Sequence, residues 1–121
     1  MLDRWADAAR GTVQWRTLLS ADRTPTDSLT LGIAELAPGE LEALSCHRHP
    51  QAEVYYVLSG EGIVTIADRQ HLLSPGCAVF IPGNAQHSVR NTSNETLRIL
   101  YVFAVDSFEQ VKYEFVETQR D

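Results

Sequence analysis

Three of the four histidines stand where strands could bring their side chains together. His47 and His49 are two residues apart. On a β-strand such residues point to the same face with Cα atoms roughly 6.5 Å apart, so both imidazoles can lean toward one ion. A turn over 50–52 can bring Glu53 back beside them, and His87 follows a second turn. The residue types and their spacing predict a metal site with three imidazole ligands and one carboxylate ligand.

Each of these residues has an ordinary structural explanation when it is considered singly. His47 and His49 would form the polar face of a strand, His87 the end of a loop and Glu53 a surface acid. As a group they favour a metal, because inward histidines beside a glutamate are costly to bury without a cation to share. Imidazole and carboxylate ligands suit Zn, Fe, Mn, Ni and Co alike, so the prediction is one divalent transition metal. The fourth histidine, His71, lacks this spacing.

One tyrosine shares a strand face with the predicted carboxylate ligand. Tyr55 lies two residues after Glu53, whereas Tyr56 faces the other way. A phenol has a pKa of about 10, and a nearby divalent cation favours the phenolate. A carboxylate bound to that cation becomes acidic at its α-carbon, so loss of a β leaving group can follow. Tyr55 is a candidate base, and the alternative is a buried aromatic with one hydrogen bond.

The segments that position these residues have the alternation and the turns of an all-β chain. The segment 12–19 alternates with a period of two, which predicts a half-buried strand. Many short strands separated by turns that contain proline or glycine indicate an antiparallel sandwich or barrel. Further strands are predicted at 29–36, 41–49, 53–58, 63–67, 78–81, 87–91, 96–105 and 111–116.

Two segments carry helical signals instead. Leu2, Trp5, Ala6 and Ala9 recur at helical spacing, which predicts a short amphipathic helix as an appendage over 1–11. The segment 106–110 begins like a capped helical turn. The predicted organisation is therefore a single domain over 1–121, with its β-structure over 12–116.

Length and charge restrict the possible partners. The chain has 121 residues, which suits one domain around one core. Ten basic and sixteen acidic residues give a net charge of −6, which repels nucleic-acid phosphates and anionic lipid surfaces. The longest apolar run, 99–105, is too short for a membrane span, and the first ten residues lack the pattern of a secretory signal. We expect a cytoplasmic protein that binds neither nucleic acid nor membrane, with Cys46 and Cys77 as free thiols.

Two stretches of the chain resemble the two motifs of the cupin superfamily, and they occur in the expected order. Residues 39–60 resemble the first motif and residues 76–91 resemble the second. Two departures lie in or near turns: seven residues rather than five separate Gly39 from His47, and Asn84 stands where glycine is common. The motif residues are His47, His49, Glu53 and Gly60 in the first stretch, and Pro82, His87 and Asn91 in the second.

This resemblance implies a fold, a metal and a set of possible functions. It implies a double-stranded β-helix, the cupin jelly roll, with a metal inside the barrel and commonly a homodimer. Most of the chain is similar to small single-domain type-2 cupins that include dimethylsulfoniopropionate lyases. Such lyases act on a metal-bound carboxylate substrate with a tyrosine base, and the matching positions are Tyr55 and Tyr113. The alternatives are a metal-dependent dioxygenase and a non-catalytic cupin that binds a small ligand.

Overall fold

The computed structural model describes residues 2–7, 11–19, 29–38, 44–104 and 114–115, and the regular structure in these ranges is entirely β-strand. With no α-helix in the described ranges, none of them provides a helical membrane span. The strands in chain order are β1 Leu2–Asp7, β2 Gly11–Leu19, β3 Thr30–Leu36, β4 Leu44–Arg48, β5 Glu53–Ser59, β6 Gly62–Ile66, β7 Arg69–Leu73, β8 Ala78–Ile81, β9 His87–Asn91, β10 Leu97–Phe103 and β11 Glu114–Phe115.

The strands form two layers around a shared core. One layer has the order β1-β2-β3-β10-β5-β8 and the other has the order β7-β6-β9-β4-β11, and strand β2 joins them where Gly11 pairs with Leu44. Neighbours such as β3 and β10 are far apart in sequence and antiparallel. Buried side chains from both layers, including Val57 and Val64, pack into one apolar cluster. This is the jelly roll that the sequence resemblance implies.

Strand β5 separates two environments by its period of two. Glu53, Tyr55 and Val57 are buried, whereas Val54 and Tyr56 are exposed. The strand is held on both sides, because Tyr55 lies opposite residues of β10 and β8 in the sheet register. Successive side chains of a strand point to opposite faces, so the sequence order alone directs the acid and the first tyrosine inward.

The predicted N-terminal helix is wrong for residues 2–7. Leu2–Asp7 forms strand β1, which pairs antiparallel with β2 from Leu2 opposite Arg16 to Asp7 opposite Gly11. A helix of this length has a large nucleation cost for few hydrogen bonds, whereas the edge of β2 offers backbone partners to six consecutive residues. Sheet pairing therefore overrides the local helical spacing.

Most other predicted strands are confirmed, with bounds that differ by at most three residues. The sequence pattern does not predict strand β7, because Arg69–Leu72 are all exposed and show no apolar alternation. The helical turn predicted at 106–110 lies outside the described residues, and so does most of the strand predicted at 111–116. Only β11, Glu114–Phe115, is described there, and it pairs with β4.

Candidate metal centre

Three histidines meet inside the barrel. His47 on β4 and His87 on β9 are direct partners in the sheet register, and His49 follows β4 immediately. The ring centroids are 4.2 Å apart for His47 and His87, 5.0 Å for His49 and His87, and 5.7 Å for His47 and His49. One ligand atom from each ring lies within 4.8 Å of the other two, and all three residues are buried. This three-histidine group could bind a metal ion.

The Glu53 carboxylate lies beside two of these histidines, and its strand belongs to the other layer. It opens β5, and its Oε1 lies 3.2 Å from His49 Nε2 and 3.5 Å from His87 Nε2. The residue is only 4% exposed. The structure therefore brings the four residues singled out in the sequence into one cluster, in which Glu53 contacts two of the three histidines. Their role as metal ligands stays a prediction.

Two backbone carbonyls determine which ring nitrogen faces the centre. His49 Nδ1 lies 2.9 Å from the carbonyl oxygen of Gln51, and His87 Nδ1 lies 2.9 Å from that of Ala85. A carbonyl oxygen can only accept, so each Nδ1 carries the hydrogen and donates it. In the neutral imidazole the remaining nitrogen, Nε2, then has a free lone pair, which is the form that binds metals.

The cluster requires a positive charge. Two lone-pair nitrogens within 3.5 Å of a carboxylate oxygen repel it unless a proton or a cation lies among them. Among the described residues, His87 Nε2 and Glu53 Oε1 have no hydrogen-bond partner although both atoms are buried. A bound cation would satisfy both atoms and offset the cost of burying them. The residues present therefore fit a divalent metal, and the donor set does not select among Zn, Fe, Mn, Ni and Co.

Tyr55 lies beside this cluster. Its side chain is buried, and its ring centroid is 6.4 Å from that of His87. Burial raises the pKa of Tyr55 well above its ordinary value, and the negative charge of Glu53 raises it further. Both effects oppose the phenolate. Tyr55 thus lies beside the histidines, and its protein surroundings alone hold the phenol neutral.

Aromatic side chains of β10 line the site beside Glu53, because Phe103 and Glu53 are direct partners in the sheet register. The Phe103 ring packs edge-on against His49 at a centroid distance of 5.1 Å, and Tyr101 packs against Phe103 at 5.8 Å. Trp15 is half-buried against the same apolar core. The sequence identifies these three aromatics as core residues or as a seat for a substrate cation. Phe103 contacts a candidate ligand, His49, directly.

A comparison with protein-family models identifies the family. The model described as a cupin domain matches residues 32–103, which include the four clustered residues and Tyr55. This chain is a cupin. The assignment confirms the resemblance drawn from the two sequence motifs.

Relatives of this cupin include proteins with different named activities. It is 42% identical over 109 residues to the dimethylsulfoniopropionate lyase DddW of Ruegeria pomeroyi. The aligned residues make up 90% of this chain and 70% of the lyase. It is 29% identical over 94 residues to an oxalate-binding protein of Thermotoga maritima, and the aligned residues make up 77% of this chain and 76% of that protein. The solved structure of the polyketide cyclase RemF from Streptomyces resistomycificus superposes on this chain with a TM-score of 0.78 at 22% identity. The superposition covers 99% of this chain and 83% of the cyclase, and it supports the fold.

Two loops of this cupin pack against each other behind the histidines. We call residues 49–52 the first loop and residues 82–86 the second loop. The backbone N–H of Asn84 donates to the carbonyl oxygen of His49 at 2.7 Å. A Cβ atom on Gly83 would lie 2.3 Å from the carbonyl oxygen of Pro50, so this close approach requires glycine. The sequence does not predict this contact directly, and the available signal is the proline within each loop, Pro50 and Pro82.

Of the remaining residues singled out in the sequence, the structure describes His71, Cys46 and Cys77, and none of them belongs to the three-histidine group. His71 is exposed on β7, as its different spacing predicts. Cys46 and Cys77 are both half-buried, and no disulfide joins them. Tyr113, the second candidate catalytic tyrosine, lies outside the described residues.

Proposed function

We propose that this cupin is a metal-dependent lyase that removes a leaving group β to the carboxylate of a small organic acid, with dimethylsulfoniopropionate as the first substrate to test. The observation that carries the proposal is the 42% identity to a dimethylsulfoniopropionate lyase over 90% of the chain. The buried three-histidine group supports it, because this chemistry needs a cation to hold the carboxylate.

Four residues would hold the metal. His47, His49 and His87 would supply imidazole nitrogens and Glu53 a carboxylate oxygen, with Nε2 as the donor atom of the last two histidines. When bound, a divalent cation supplies the positive charge that binds the substrate carboxylate, acidifies the adjacent carbon and favours the phenolate of Tyr55. The hydrogen bonds from the Nδ1 atoms to loop carbonyls keep the rings oriented for this role.

Tyr55 would act as the base. It removes the proton from the carbon next to the carboxylate, and that electron pair forms a double bond to the β-carbon. The bond from the β-carbon to sulfur breaks and its electron pair leaves with sulfur, so the products are acrylate, dimethyl sulfide and a proton on Tyr55. The shared inward face of Glu53 and Tyr55 on β5 supports this assignment. Tyr113 stays a second catalytic candidate on the resemblance alone.

The test loads the purified protein with each of the five candidate metals and measures dimethyl sulfide and acrylate released from dimethylsulfoniopropionate. We expect release in equal amounts with at least one metal. Tyr55→Phe should lose at least about 100-fold in rate, which is the usual contribution of a general base, while keeping its bound metal by elemental analysis. Tyr56→Phe is the matched control, since Tyr56 is the next residue of the same strand and faces outward. No release with any metal, or full activity in Tyr55→Phe, would contradict the proposal.

A second candidate function is the non-catalytic binding of a small carboxylate. The 29% identity to an oxalate-binding protein favours it. In this case oxalate should raise the melting temperature of the metal-loaded protein without any product being formed. Oxygen consumption by the Fe(II)-loaded protein in the presence of a substrate would instead point to a dioxygenase.

A further inference from the structure

Strand β7 carries two polar side chains on its core-facing side. Arg69 pairs with Ile66 in the sheet register, and His71 pairs with the fully buried Val64. Directly opposite residues have their side chains on the same face of a sheet, so Arg69 and His71 face inward. Leu73, the third residue on this side, is buried, whereas Arg69 and His71 are exposed. The barrel is therefore open beside the first part of β7.

This opening is closed at one end of β7 only. Among the described strands, β7 ends one layer and β8 ends the other, and the turn over 74–77 joins them. At the turn the Cys77 thiol donates to the carbonyl oxygen of Leu72 at 3.7 Å, so the two edges are in contact there. Arg69 begins β7 at the opposite end, and its exposure shows that β8 does not cover it.

Arg69 stands in the same row of the sheet as two candidate metal ligands. Arg69, Ile66, His87 and His47 are successive partners across β7, β6, β9 and β4. Neighbouring strands are about 4.8 Å apart, so the Cα atom of Arg69 lies roughly 10 Å from that of His87. Ile66 between them is half-buried, and the apolar stem of an arginine can lie along such a side chain. The guanidinium can then reach a molecule bound at the candidate metal centre.

Arg69 differs from other arginines of the sheet in direction and in pairing. Arg48, Arg90 and Arg98 each lie between two buried residues of the chain, so they point outward. Arg48 and Arg98 form salt bridges of 2.8 and 3.3 Å with acids of neighbouring strands. Within the described ranges, no acid forms a salt bridge with Arg69. Its guanidinium therefore has the charge and the paired donors to bind a carboxylate from outside the chain.

We propose that Arg69 is a specificity-determining residue, whose guanidinium binds the carboxylate of the substrate at the open edge of the barrel. The substrate is that of the proposed function, on which this role of Arg69 rests. A carboxylate has two oxygen atoms, so one can bind a cation at the candidate metal centre while the other accepts from Arg69. The guanidinium also offsets, at the opening, the repulsion of an anion by a chain of net charge −6.

The contact with Arg69 gives the substrate a direction in the site. Strand β5, which carries Glu53, lies between β8 and β10. The open edge with Arg69 is on the β8 side, whereas Phe103 on β10 packs against His49 on the other side of Glu53. A substrate whose carboxylate points to Arg69 therefore has its leaving group directed toward the aromatic side chains of β10.

The first experiment measures the binding of acrylate, the carboxylate product of the proposed reaction, to the zinc-loaded protein by calorimetry. Arg69→Gln should raise the dissociation constant of acrylate at least about ten-fold, because a hydrogen bond to a charged group is lost. Arg69→Lys should recover part of this loss, since it keeps the charge without the two-pronged geometry. Arg90→Gln is the matched control: it removes the same charge from an exposed, outward position on β9 and should bind acrylate like the wild type.

The second experiment separates substrate binding from chemistry. With dimethylsulfoniopropionate, Arg69→Gln should raise KM at least about ten-fold with kcat nearly unchanged, the pattern of a residue that binds ground state and transition state equally. Elemental analysis and the melting temperature should show the same metal content and stability in all variants, because Arg69 contacts neither the ligands nor the core.

The outcomes distinguish the role of Arg69 from the proposed function. If acrylate binding depends on Arg69 while no metal supports release of dimethyl sulfide, the role of Arg69 stands and the proposed function fails. If dimethyl sulfide is released but Arg69→Gln binds acrylate as the wild type does, the proposed function stands and the role of Arg69 fails. A wild-type protein that does not bind acrylate, or an equal loss in Arg90→Gln, would also overturn this role.

Discussion

Glu53 is the residue on which the electrostatics of the candidate metal centre depend. Its Oε1 contacts His49 and His87 at 3.2 and 3.5 Å, and its charge contributes to the raised pKa of Tyr55. The Glu53 carboxylate therefore has two opposing electrostatic effects. It attracts a cation into the cluster, and it opposes a negative charge on the neighbouring phenol. The balance between these effects can be tested with a neutral residue of the same shape.

Glu53→Gln should weaken the binding of a divalent metal at least about ten-fold, because the amide keeps the volume but removes the negative charge. The measurement is a metal titration by calorimetry with each purified variant. Glu61→Gln is the control. Glu61 is exposed at the turn after β5, so this substitution removes the same charge away from the cluster. Equal metal affinity in both variants would show that Glu53 is not a ligand.

Asn84 explains why a departure from the family motif leaves the cluster intact. Its φ is 64°, in the left-handed region where glycine is common and asparagine is among the best-tolerated alternatives. Its backbone N–H still donates to His49. The sequence shows the departure, and its position in a turn predicts that it is harmless. The reason depends on a backbone angle that the sequence alone does not give.

At the scale of elements, the two loops behind the histidines act as a pair. The first loop carries the carbonyl that orients His49, and the second carries the carbonyl that orients His87. The contact between Gly83 and Pro50 joins the loops, and so does the hydrogen bond from Asn84. The separation of these two histidines therefore depends on how closely the loops approach each other.

Gly83→Ala should force the loops apart, because the added Cβ meets a backbone oxygen that has little freedom to move. We expect metal affinity to fall about ten-fold or more, in the range seen when the partners of metal ligands are removed, together with a lower melting temperature. Asn84→Gly is the neighbouring control, since glycine accepts the same φ and adds no atoms. A Gly83→Ala variant with unchanged metal affinity would contradict the coupling of the loops.

Strands can be predicted from the sequence where one face of the strand is buried. They are missed where only pairing with a neighbouring strand determines the conformation. Strands β5, β8 and β9 were predicted to within one residue, because apolar and polar residues alternate or turns bound them closely. Strand β7 exposes four of its five residues, so it gives no hydrophobic pattern. Strand β1 has helical spacing but pairs with β2, a contact that a local sequence pattern does not contain.

At the scale of the whole molecule, the site was predictable because its residues lie at fixed points of a repeated strand-turn-strand pattern. His47, His49, Glu53 and His87 meet in the core as their spacing indicates. Two other features were not predicted: the packing of the loops and the inward position of Arg69. Both depend on which strands become neighbours, and chain order does not specify that. The identity of the metal is not encoded in the donor types.

Metal removal should destabilise the whole fold, because the candidate ligands come from both layers. Binding at a free metal concentration of 100 times its dissociation constant stabilises the folded state by about 2.7 kcal/mol, so chelation should lower the melting temperature by roughly 10 °C in a chain of this size. His87→Ala should melt at one temperature with or without metal. His71→Ala, an exposed histidine on β7, should keep the full shift. A wild-type protein without any shift would contradict a metal that bridges the layers.

The strict alternation along β5 leaves this strand no tolerance for insertion or deletion. Adding a single amino acid within β5, directly after Glu53, would turn every following side chain to the opposite face of the sheet. The first tyrosine would then face water, and Val54 and Tyr56 would fill the barrel. Laboratory evolution of this protein should accept many substitutions at the outward positions of β7 but almost no change of length between residues 53 and 59.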